Sequence, residues 1–179
     1  HGYIEEWGMS QYARDCRIAM IYEGTNGIQA LDLVGRKLSM DGGKYMREYL
    51  NLVQAFINEE HSEDLKNDFI TPLKKSIEHL QAALMFFMQN GLKNPLSAVS
   101  GATDFLHLVG LVSLGFIWSK KAQSAKEKLK DISANKNFLE AKILTGSYFM
   151  HRQLPETKLR LDRILTGEKQ VMSLAADQF

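Results

Sequence analysis

The chain has 179 residues, 45% of them hydrophobic, with a formal net charge of +1. That is enough apolar material for one packed domain plus an appendage, and too little charge to point to nucleic acid or an anionic membrane surface as a partner. The single cysteine, Cys16, excludes an internal disulfide and fits a reducing, cytoplasmic compartment.

Three prolines and few alternating apolar–polar runs predict an all-α chain. Residues 4–20 read as a helix with a break near Gly8. Asn26, with Gln29 three residues on, has the spacing of a capping box and predicts a helix over 26–39. Its apolar positions are Leu31, Leu33, Val34 and Leu38. Asp41-Gly42-Gly43 is a stop and hinge. A third helix follows over 44–60, with Met46, Tyr49, Val53, Phe56 and Ile57 on its apolar side. The polar joint His61-Ser62-Glu63-Asp64 divides the chain into domains 1–60 and 61–179.

The next segment, 65–90, has the clearest periodicity. Ile70, Leu73, Ile77, Leu80, Leu84 and Phe87 are spaced three, four, three, four, three, as in a bundle seam. Pro72 in the first turns suggests Thr71 as the cap and Pro72 as the first helical residue. Gly91 and Asn94-Pro95 end the helix. Residues 96–130 read as one long helix. Its middle, 105–118, is apolar apart from His107 and Ser113, but a span needs about 20 apolar residues. Asp104 and His107 interrupt it, so it is expected to be a buried bundle helix. These two residues, three apart on one face, predict a satisfied core hydrogen bond. A helix over 137–152 is expected to face inward with Phe138, Ala141, Thr145 and Tyr148/Phe149. Leu154-Pro155 breaks it, and a last helix runs through Leu161, Ile164 and Leu165 to about residue 175.

The stretch that carries chemistry is Ile21-Tyr22-Glu23-Gly24-Thr25-Asn26-Gly27-Ile28-Gln29. It sets one carboxylate, Glu23, between an aromatic and a glycine on the turn before a helix. From the residues alone, Glu23 is either a solvated glutamate favoured by the helix dipole or a side chain aimed into a cleft. Tyr22 is a buried aromatic, Gly24 a turn glycine and Thr25 a helix cap on the same footing. Gly24-Thr25-Asn26-Gly27 lacks the lysine and the preceding strand of a phosphate loop. His61, His79, His107 and His151 show no ligand spacing with each other or with Cys16, and no Glu-x-x-His occurs, so no metal site is predicted. Lys120, Lys121, Lys126, Lys128 and Lys130 read as a solvated face.

Gly2-Tyr3, Tyr12-Ala13-Arg14-Asp15, Arg17-Ile18, Ile21-Tyr22-Glu23-Gly24-Thr25 and Ile28-Gln29 stand in order, and the spacing between them fits the pattern that follows without insertion or deletion. Together they resemble the C-terminal signature of the acyl-CoA dehydrogenases. From about residue 65 to Phe179 the chain also resembles, more loosely, the extra helical domain of the larger bacterial members, with Leu154-Pro155 and Phe179 in the match. The resemblance implies the last helices of a catalytic domain followed by an appended helical bundle, and a FAD-dependent α,β-dehydrogenation of an acyl-CoA thioester. Glu23 matches the base that takes the α-proton. By position, the Glu23 backbone N–H would polarise the thioester carbonyl, Tyr22 and Gly24 would meet the substrate, and Thr25 and Gly2 would touch FAD. Gly27 stands where many members carry a glutamine. The family further implies an electron-transfer flavoprotein as acceptor and a homo-oligomer. The start at His1-Gly2-Tyr3 falls inside this signature, so the chain is expected to be a fragment whose flavin pocket needs upstream domains. The competing expectation is a helical oligomerisation module without chemistry of its own.

Overall fold

The computed structural model describes residues 3–21, 25–91 and 93–178. Among them all regular structure is helical, so the all-α expectation holds. A short 3₁₀ turn, Glu5–Trp7, is separated by a left-handed Gly8 from α1, Met9–Ile21. α2 covers Thr25–Asp32 and widens into a π turn, Leu33–Lys37. It starts at Thr25, so Asn26 lies inside its first turn and is not the cap that the Asn26/Gln29 spacing predicted.

The hinge lies where expected. Asp41, Gly42 and Gly43 hold φ of 49°, 64° and 79°. Three consecutive left-handed residues reverse the chain, and two of them are glycines because a Cβ is disfavoured there. α3, Lys44–Ile57, follows and turns Val53, Phe56 and Ile57 into the core.

The predicted start at Thr71 is corrected. Helical structure begins at α4, Glu63–Leu65, and passes through a π turn, Lys66–Ile70, into α5, Thr71–Asn90. The Thr71 N–H bonds the Lys66 carbonyl across the wide turn. Pro72 has no N–H to donate, and the widened turn just before it absorbs that loss without breaking the helix. Ile70, Leu73, Ile77, Leu80 and Phe87 are buried as the periodicity requires; Ala83 is buried beside them, while Leu84 is only half-buried.

The long apolar helix is two. α6, Pro95–Ser100, ends at Gly101, and α7 runs Ala102–Lys128. α7 is the axis of the bundle, with α2, α5, α8 (Lys136–Tyr148) and α9 (Glu156–Leu165) packed on it. By length and composition it could cross a membrane, since an 18-residue window reaches a mean hydropathy of 1.4. Its Phe105, Leu108, Val112 and Phe116 are spent instead on the core, as expected of a buried bundle helix. Phe87 meets Phe105 edge-on at 5.1 Å, and Phe56 meets Phe116 at 5.4 Å. Tyr49 and Ser113 share a 2.9 Å hydrogen bond that ties α3 to α7.

Two expectations fail at the C-terminal end. α8 turns Gly146 inward, with Leu139 and Ile143 half-buried on the same side, and Met150 in the following π turn continues that face. Phe138, Ala141, Thr145 and Tyr148, predicted to face inward, are exposed, while Phe149 does pack against the core as predicted. Gly146 decides this: a Cβ there would lie 2.9 Å from Phe69 Cε1 and 3.1 Å from Trp118 Cε3. Only the face that carries the glycine can approach so closely. α9 ends at Leu165, not near 175, because Gly167 with φ of 66° takes the left-handed position that closes a helix.

Candidate functional site

Tyr22, Glu23, Gly24 and Gly2 lie outside the described residues. The structure describes the supports on either side of residues 22–24. α1 leads into them and α2 leaves them, with Thr25 half-buried as the first residue of α2. α2 is seated: Ala30 is fully buried, and Leu33 and Val34 of the following turn pack against the core. Asp32 closes α2 beneath two cations. Arg36 Nε reaches Asp32 Oδ1 at 2.5 Å and Arg36 Nη2 reaches Oδ2 at 3.0 Å, while Lys37 Nζ lies 3.2 Å from Oδ2. The Arg36 hydrogen bond, more than the Lys37 charge, holds the Asp32 carboxyl at about 2. Asp32 is therefore a fixed anion and no candidate proton acceptor.

The ionisable groups elsewhere are structural partners. Asp104 does not bond His107, which is exposed. Arg160 on α9 reaches Asp104 at 2.9 Å, with Arg163 at 3.7 Å and Glu156 on the far side of Arg160 at 3.5 Å. A guanidinium delivered by tertiary packing outcompetes an imidazole one turn away, and a charge-assisted bond is the stronger of the two. His79 on α5 lies 3.0 Å from the Thr157 hydroxyl on α9. That hydroxyl donates to the Leu154 carbonyl, so His79 Nδ1 must be the donor to Thr157. The Glu168 carboxylate accepts from Asn94 at 2.6 Å and from Ser97, pinning the chain after α9 to the start of α6. These two bonds, that from Ser97 first, hold its carboxyl below the usual range. None of these three links had a signal in the sequence, since each joins residues at least 56 positions apart. Among the described residues no three His, Cys, Asp or Glu side chains converge as a metal site would require.

Among the described residues an open groove of about 540 Å³ is lined by Tyr3, Ala13, Arg14 and Arg17. Its guanidinium groups suit an anionic ligand, but Glu5 holds Arg14 at 3.5 Å, and no wall closes over the groove. The described residues alone fit a flavin only in part.

The sequence model of a family described as "Acetyl-CoA dehydrogenase C-terminal like" matches residues 49–175. The chain belongs to the acyl-CoA dehydrogenase family, through its C-terminal part. This family chain is 34% identical over 169 residues to a 3-methylmercaptopropionyl-CoA dehydrogenase of Ruegeria pomeroyi, covering 93% of itself and 29% of that relative. It is 27% identical to a broad-specificity linear acyl-CoA dehydrogenase of Mycobacterium tuberculosis, covering 97% of itself and 30% of the relative. With a butyryl-CoA dehydrogenase of Syntrophomonas wolfei the identity is 26%, over 87% of this chain and 26% of the relative. The chain thus spans less than a third of the length of the curated relatives that it matches.

Proposed function

We propose that this chain is the C-terminal part of a FAD-dependent acyl-CoA dehydrogenase and that Glu23 is the base of its parent enzyme. The observation that carries this is the ordered, gap-free set of signature blocks from Gly2 to Gln29 in a chain that belongs to the family. The three relatives named above are each a dehydrogenase of a CoA thioester by name. An acyl-CoA is therefore the substrate class, with an electron-transfer flavoprotein as the acceptor, in a cytoplasmic homo-oligomer.

The α-proton of a thioester is weakly acidic. Its removal needs a carboxylate whose pKa is raised by a dry site and a donor that stabilises the enolate. Glu23 supplies the first and its own backbone N–H the second, with Tyr22 and Gly24 against the acyl group. Thr25 and Gly2 hold FAD, which supplies the hydride acceptor when bound. In the full-length parent, Glu23→Gln is expected to lower turnover by at least about 10²-fold with FAD retained, because a positioned base contributes on that scale. Turnover at the normal rate removes the assignment. The chain by itself is expected to be inert and to bind FAD weakly or not at all. Micromolar affinity in a flavin-fluorescence titration would overturn that.

For residues 61–179 a second reading has its own support. The α8 face opposite the bundle presents Phe138, Leu144 and Tyr148, exposed by 56%, 71% and 60%. Such a face suits an oligomerisation module appended to the catalytic domain at the non-helical stretch after α3. Replacing Leu144 and Tyr148 by lysine in the parent, which leaves the shared core intact, should then change its oligomeric state by light scattering more than its chemistry. An unchanged oligomer rejects the module.

A further inference from the structure

α8 enters the core with its Gly146 side and leaves the opposite side as one straight line. Asn137, Ala141, Leu144, Tyr148 and Arg152 follow one another at steps of four, three, four and four, the last step crossing the wider π turn Phe149–Gln153. All are exposed, Leu144 by 71% and Tyr148 by 60%. Thr145 stands beside Leu144, and its hydroxyl already donates to the Ala141 carbonyl at 2.7 Å. Covering the line would therefore not strand that donor.

The charges along the line have a direction. Glu140 borders its start and Arg152 ends it. At the rise of a helix they stand about 18 Å apart, too far to pair within one chain. Two neighbouring cations are engaged elsewhere: His151 faces Asp68 at 3.5 Å, and Lys142 lies over the Phe138 ring at 5.0 Å. Glu140 and Arg152 have no ionic partner among the described residues.

We propose that this face of α8 docks on the same face of a second copy of the chain, antiparallel, about a two-fold axis beside Leu144 and Thr145. This rests on the reading of residues 61–179 as an oligomerisation module and names its partner. A contact between identical faces requires a surface complementary to itself. The two-fold sets Tyr148 of each chain over the partner's Ala141, large against small. It also carries each Arg152 to the end of the helix that holds the partner's Asn137 and the partner's Glu140, so that both charges are answered at both ends. A parallel copy would set like charges against each other, which selects the antiparallel one. Leu144 lies at the centre, where flanking residues exclude water.

Sedimentation of the 179-residue chain over a range of concentrations tests this, with circular dichroism to check that each variant keeps its helices. The chain is expected to associate reversibly into a dimer, and Leu144→Lys to stay monomeric throughout. Glu140→Arg and Arg152→Glu should each raise the dimer dissociation constant by at least about fivefold, because the two-fold repeats every lost attraction and turns it into a repulsion. With both substitutions in one chain the pairs re-form in reverse, and the constant should return to within about twofold of the original. A chain that stays monomeric overturns the proposal and leaves the face to a different partner. A double variant that dimerises no better than the single ones overturns it as well. The two readings fail separately. A dimer lost in Leu144→Lys but indifferent to the charge reversals rejects the antiparallel copy and keeps the module. A dimer that Leu144→Lys leaves intact rejects both.

Discussion

α1 and α5 carry the same kind of message and meet opposite fates. Both place apolar side chains three and four residues apart. In α5, Leu73, Ile77 and Leu80 vanish into a core shared with α7 and α9. In α1 the equivalent stripe stays in solvent along its whole described length. Periodicity reports that a helix needs a partner; it does not say whether the partner lies in the same chain. The bundle is a self-contained solution, whereas the helix that leads into residues 22–24 keeps its apolar stripe exposed among the described residues.

The sharpest way to break this contrast is to damage each region in turn. Phe69 is fully buried against Gly146, so Phe69→Ala is expected to cost about 3–5 kcal/mol in urea unfolding of the isolated chain. A smaller effect than about 1 kcal/mol would mean that the core is not the organising unit. Gly146→Ala should cost about 1–3 kcal/mol, since the new methyl meets Phe69 and Trp118 inside van der Waals contact. The same readout on Phe138→Ala, predicted inward from sequence but exposed, should change far less; a loss comparable to that of Gly146→Ala would restore the predicted face.

A subtler test uses pH. Burial first, then the charges of Lys75 and Lys158, push the His79 imidazole below its ordinary value, against smaller opposing effects of Glu78 and Asp162. The unfolded chain therefore takes up its proton first as pH falls. The His79 contribution is complete above about pH 6.5 and is lost as pH drops from there through the lower folded-state value. His79→Gln should flatten the stability profile between about pH 7 and pH 5; an unchanged slope would place the titration elsewhere. At the bottom of the scale, Tyr12→Ala should move the stability of the isolated chain by no more than about 0.5 kcal/mol, as for an exposed side chain without partners. A larger loss would show that α1 is already packed without the rest of the parent.

Much of the architecture was legible before the structure. Helix type, the break at Gly8, the hinge at Asp41–Gly43, the α5 seam and the end of that helix at Gly91 all follow from local rules of period and punctuation. The misplaced features differ in whether the sequence marks them. Pro72 was read as a start because a π turn that absorbs a proline leaves no mark in the sequence. Thr166-Gly167 closed α9 early, as a glycine after a polar residue can. The candidate site was legible only as a string of matched residues, with Glu23 at its centre, and residues 22–24 lie outside the described ones.

The sequence by itself determined that this chain is helical and where most of its helices begin and end, because each of those is written within a few neighbouring positions. Tertiary structure alone decided which face of α8 is buried, that Asp104 belongs to Arg160 and His79 to Thr157, and that α2 is anchored while α1 is not. Those outcomes depend on how closely two distant surfaces can approach. A glycine opposite Phe69, or a guanidinium 56 residues away from its carboxylate, has no counterpart in any local pattern.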